Sequence, residues 1–388
     1  MVWLLQHVPF RFRGSPLLKV GNFVSDSGYF YFTLHMNNTK GKKLYIAVLN
    51  ILACQSVIIL HTNGVFWSHP SGRLWYTANF LETFFYPAVP IFFMISGATL
   101  LNYRQRYGTK EFLRRRFTKT GIPFLVWSML ACLFQSYVSK VPVDWNPLHI
   151  IDNIENTKYF SIYWFFIPLF SIYLTIQILS LIEDKMRMCR YAIVIGMIFV
   201  SILPLICSLL KIPFNGGLTP SVVTGDMIFV FLGYYLSNFR LTKKQRIVLY
   251  VAGALGWTVH FLGTIILSIG QTDIIGTFKG YTNLPCVLHS IAIFVLFRYI
   301  DYQKMMESFS LKLHGLDKHV EAFIYHLSGL TFGIYLIHFF LIIRIPMLLH
   351  LNVASMTWRL GWAVIIFWCC AGLTYIMKKV PIIRYIVP

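Results

Sequence analysis

Two side chains eleven positions apart, Asn50 and His61, open the functional reading of this 388-residue chain. Histidine changes charge near neutral pH, so it can act as a general base or as a nucleophile. On a helix, eleven residues make three turns plus about 20°, so the two share one face about 16 Å apart along the axis. Such a face can line a passage. Two separate interhelical hydrogen-bonders are the plainer alternative. Glu82, expected at the depth of His61 on the next helix, is a candidate to orient the imidazole and stabilise its protonated form. A rim carboxylate with no partner is the competing reading of Glu82.

A second constellation is basic. Arg104, Arg106, Lys110, Arg114, Arg115, Arg116 and Lys119 fall within sixteen residues, and such a cluster can hold the phosphates of a nucleotide-like donor. Membrane topology alone also concentrates basic residues in a loop, where anionic headgroups solvate them. The seven cysteines form no CxxC pair and no Cys/His cluster with metal-ligand spacing, so no metal is expected.

The elements that position these residues must lie in lipid. The chain is 57% hydrophobic and 12% charged, against about 25% charged in soluble domains. Runs long enough to cross a bilayer, about 20 residues each, fall at roughly 44–62, 79–102, 120–139, 163–182, 191–210, 222–238, 247–269, 282–300, 327–349 and 358–377. The fold class is therefore an all-α, polytopic bundle of about ten spans. Trp67, Trp75, Tyr76, Tyr163, Trp164 and Trp358 flank the runs, as rings at headgroup level do.

The 34 Lys and Arg against 14 Asp and Glu would suit a nucleic-acid partner, but their distribution points to topology instead. Alternate loops and the termini hold 27 basic residues and the intervening loops six, which places both termini in the cytoplasm. Residues 1–43 then form a cytoplasmic tail, of which 1–35 are expected to be poorly ordered, with an interfacial segment as the alternative. Residues 44–377 form the transmembrane domain and 378–388 a second cytoplasmic tail.

Five segments, in order, resemble the acyltransferase-3 family of integral membrane acyltransferases over about 44–377. They are LNILACQSVIILHTNG on the first run, VPIFFMISGATLL at 89–101, RRRFTKTGIPFLVW at 114–127, YWFFIPLFSIYL at 163–174 and FGIYLIH at 332–338. The resemblance puts His61 at the family's essential histidine and Ser96 and Gly97 in its Phe-Phe-x-x-Ser-Gly signature. It puts Arg116 at the first position of an Arg-x-x-Arg loop motif, with Lys119 where the second Arg is usual. Lys keeps the charge without the bidentate fork. Asn50 stands where relatives commonly carry Arg, so either Arg115, Arg116 or Lys119 compensates or this subgroup handles its donor differently.

What the resemblance implies is transfer of an acyl group, usually acetyl, from cytoplasmic acyl-CoA to a hydroxyl of a cell-envelope polysaccharide or its lipid-linked precursor. It also implies a bacterial plasma-membrane location. Donor contacts would fall to Asn50, Ser96, Arg115, Arg116 and Lys119, and the chemistry to His61 and Glu82. The rival class is a transporter or flippase for a lipid-linked sugar, although no internal repeat is visible and many transporters show one. A non-catalytic sensor or scaffold is favoured only by Asn50.

Overall fold

The computed structural model describes residues 40–68, 70–313 and 317–388; the expectation for residues 1–35 lies outside them. The described residues contain no strand. In chain order the helices are α1 (Lys40–Thr62), α2 (Gly72–Phe85), α3 (Ala88–Leu100), α4 (Thr109–Arg116), α5 (Ile122–Ser139), α6 (Pro147–Glu155), α7 (Phe166–Leu179) and α8 (Lys185–Gly196). They continue as α9 (Leu203–Leu209), α10 (Met227–Asn238), α11 (Lys243–Ser268), α12 (Leu284–Arg298), α13 (Tyr302–Leu313), α14 (Asp317–Ser328), α15 (Thr331–Leu349) and α16 (Ala363–Lys379).

Each of the ten apolar runs coincides with helix. Eight helical segments among the described residues are long and apolar enough to cross a membrane, the first spanning Leu44–Thr62. The sixth and eighth runs correspond to the shorter α10 and α12. The sixth falls short for a local reason. Gly225 takes a positive φ of 55°, a conformation that suits glycine and interrupts a helix, so α10 starts only at Met227.

Proline shapes the second run. Pro87 supplies no backbone N–H and breaks the ladder, so α2 and α3 meet at Tyr86 and Pro87 within one segment, Gly72–Gln105. Residues 117–121, 197–202 and 357–362 are π-helical turns inside three other runs. Each such turn shifts the helix face beyond it. Of the flanking aromatics, Trp75, Tyr163 and Trp358 are buried in protein rather than placed at a surface, while Trp67 is exposed. Trp75 explains why: its indole N–H donates to the Phe66 carbonyl, 3.0 Å away, so the ring has an internal partner and needs no interface.

α1 packs against α2, α3, α12, α14, α15 and α16. Leu49, Ala53 and Val57 face one buried cluster, shared with α3, α10 and α12. Cys54 and Ile58 face a second, shared with α5, α15 and α16. The close crossing of α3 and α10 depends on two glycines. A Cβ on Gly97 would lie 2.0 Å from the Val230 carbonyl oxygen, and one on Gly233 would lie 1.9 Å from that of Met94. The Gly of the Ser-Gly pair is therefore a packing residue.

Candidate active site

One stripe of α1 builds the site. Asn50, Cys54 and His61 recur at helical spacing and all meet α15 or the residues leading into it. Asn50 Nδ2 donates to the Ser328 carbonyl and to Ser328 Oγ, both at 3.1 Å, and to Thr331 Oγ1 at 2.7 Å. The Cys54 thiol lies 3.6 Å from the Thr331 carbonyl. The His61 ring lies against His338 and Phe339, at centroid distances of 5.4 and 5.7 Å. Asn50 and His61 thus share a face, as their spacing requires, but they open onto two different cavities.

The first is a chamber of about 220 Å³ lined by His61, Glu82, Tyr86, Trp164, Lys279 and Tyr281, among others. Glu82 is in the chamber, yet its hydrogen bond goes elsewhere: Lys279 Nζ donates to Glu82 Oε1 at 2.7 Å. Both side chains are nearly enclosed, at 9% and 6% exposure for Lys279 and Glu82. The ammonium also sits 3.9 Å from the Tyr86 ring centroid and 4.8 Å from that of Trp67. Rings at these distances attract a cation. A buried pair of this kind is costly to break, because either charge alone would be stranded in a low-dielectric site. Glu82 is neither free at a rim nor bonded to His61.

The second chamber, of about 350 Å³, is lined by Asn50, Ser96, Arg116 and Lys119 together with Thr120, Tyr173, Ser328 and Thr331. Four of the five expected donor-binding residues converge there. Helical geometry decides which arginine joins them. Arg114 and Arg115, three and four residues after Glu111, pair with its carboxylate at 2.8 and 2.7 Å. Arg116 instead lies one turn after the fully buried Phe112 and shares its inward face, with its guanidinium 5.4 Å from the rings of Phe112 and Tyr173. Its buried Nε has no hydrogen-bond partner among the described residues. Lys119, in the π turn at 117–121, brings a second positive charge to the same wall. Arg115 does not line this chamber. Ser96 does, with its hydroxyl donating back to the Phe92 carbonyl at 3.0 Å.

The two chambers share a partition. Phe92, Phe165 and Tyr335 line both. A reciprocal lock holds the partition in place. Tyr163 OH donates to the Leu336 carbonyl at 2.9 Å, and Tyr335 OH donates to the Ile162 carbonyl. The phenol of each segment therefore caps the backbone of the other, which joins the 160–165 turn to α15. A basic chamber and a histidine chamber thus lie on either side of three shared side chains within a helical bundle.

The chain belongs to the acyltransferase-3 family: the family's acyltransferase domain matches residues 43–377. The protein is accordingly a multi-pass membrane acyltransferase. No curated protein and no solved structure matches it.

Two neighbours of the expected site residues emerge only from the fold. Nothing local in the sequence links Lys279 to Glu82, 197 residues away. His338 was visible as a histidine within a span. The better signal was its stripe: Thr331, Tyr335 and His338 recur at helical spacing and face Asn50, Cys54 and His61.

Proposed function

We propose that the protein moves an acyl group, acetyl in the simplest case, from cytoplasmic acyl-CoA to a hydroxyl of a cell-envelope polysaccharide or its lipid-linked precursor. The observation that carries this reading is the pair of chambers meeting at Phe92, Phe165 and Tyr335, with Arg116 on one side and His61 on the other. Guanidinium and ammonium groups in a partly enclosed pocket suit CoA phosphates, and the unpartnered Nε of Arg116 is a donor awaiting an acceptor. Asn50 contributes polarity but no charge, so Arg116 and Lys119 carry the compensation that its identity demands.

Two routes fit His61. In the direct route its imidazole takes the proton of the acceptor hydroxyl, and the oxygen attacks the thioester carbonyl. The C–S bond breaks and the CoA sulfur takes the proton back. In the relay route an imidazole nitrogen attacks the thioester, the C–S bond breaks, and the other ring nitrogen gives its proton to the sulfur, so CoA leaves as the thiol. The acceptor oxygen then attacks the acyl-imidazole, its proton passing to the ring, and neutral imidazole is released. The relay would carry the acyl group between the chambers without its bulky, charged CoA. Envelope-glycan mass spectrometry tests the reading: a deletion strain should lack an acyl increment that the complemented strain regains. Identical glycans in both strains would refute it.

A further inference from the structure

His338 is completely buried, and nothing in the two routes above uses it. Its Nδ1 lies 2.6 Å from the Tyr335 carbonyl oxygen. A carbonyl only accepts, so in the neutral ring Nδ1 carries the hydrogen and Nε2 carries the lone pair. That Nε2 has no hydrogen-bond partner among the described residues. A buried acceptor left open is costly and calls for a reason. The rings around it are those of His61, Tyr335 and Phe339. Phenylalanine has no donor, and the Tyr335 hydroxyl is engaged with the Ile162 carbonyl. His61 makes no hydrogen bond among the described residues, so its N–H is the donor in reach.

The spacing fits. An N–H···N bond of about 3 Å between two imidazole edges puts the ring centroids a little over about 5 Å apart. The centroids of His61 and His338 are 5.4 Å apart, with the planes inclined at 33°.

The geometry points to His338 as the positioning residue of His61: its Nε2 accepts the His61 N–H and thereby fixes the tautomer that presents a lone pair to the chamber. This rests on the acyl-transfer reading for its purpose but not for its test. His338 touches neither donor nor acceptor and acts only through His61. The backbone carbonyl of Tyr335 sets the His338 tautomer, so the partition residue and the positioning histidine belong to one turn of α15.

The test uses full-length protein in lipid nanodiscs with ¹⁵N-labelled histidine, the His61 signals being assigned by their loss in His61→Gln. Acetyl-CoA is the probe, followed by thiol release. In the wild type the His61 nitrogens should report one tautomer. In His338→Phe they should report a mixture, and thiol release should fall about 100-fold, the scale of losing a well-held general base, with acetyl-CoA affinity unchanged. His338→Gln can donate to Tyr335 and accept from His61, and it should restore the single tautomer. His338→Leu carries the same comparison if phenylalanine overpacks the site. A His61 tautomer unaltered by loss of the His338 acceptor would overturn the proposal. Failure of the wild type to release thiol would count against the acyl-transfer reading instead, and the tautomer comparison would still decide the role of His338.

Discussion

Three consecutive arginines show how far identity alone carries an argument. Arg114, Arg115 and Arg116 are equivalent as charges, yet only Arg116 lines the chamber with Asn50, Ser96 and Lys119. Glu111 draws the other two to the opposite face. This separation gives a residue-level prediction. Replacing Arg116 and Lys119 together by Gln removes charge-assisted bonds worth about 1.5–3 kcal/mol each. Acyl-CoA affinity should therefore drop by about two to four orders of magnitude, read by titration calorimetry, while Arg115→Gln changes it by less than threefold. Equal effects from Arg115 and Arg116 would contradict the assignment. Glu82 carries the same lesson. Its depth beside His61 was legible, but its partner Lys279 was not, because sequence distance hides a contact made by folding.

Hydropathy and charge are local properties, so the ten helical segments could be read directly, and α1 emerged with its buried limits. Bends and face shifts depend on neighbours. Pro87 was visible, but whether it ended a helix or bent a longer one depended on how α3 packs. The π turn at 117–121, which carries Lys119, has no period of its own to detect. The Ser-Gly pair was recognisable, but its division of labour was not. Ser96 lines the basic chamber, while Gly97 allows α3 to touch α10. Gly97→Ala should push these helices apart at a cost of about 1–3 kcal/mol, seen as a lower midpoint for thermal unfolding in detergent. An unchanged midpoint would show that the crossing tolerates a methyl group.

At the scale of the whole molecule the account requires that the basic chamber and the His61 chamber face opposite sides of the membrane. We propose, on the 27-to-six asymmetry of basic residues, that the loop after α3 faces the cytoplasm and the 63–78 segment the other side. Reporter fusions after Thr77 and after Lys119 should therefore report opposite compartments, and the same compartment for both would overturn the arrangement. The central claim is that His61 handles the acyl group between those two sides. The most direct measurement is envelope-glycan acylation, by mass spectrometry, in a deletion strain carrying either the wild type or His61→Gln at matched membrane abundance. Gln hydrogen-bonds but is neither a base nor a nucleophile near neutral pH. The account predicts acylated glycan with the wild type and none with His61→Gln; near-normal acylation with Gln would reduce His61 to a structural hydrogen-bonder and contradict it.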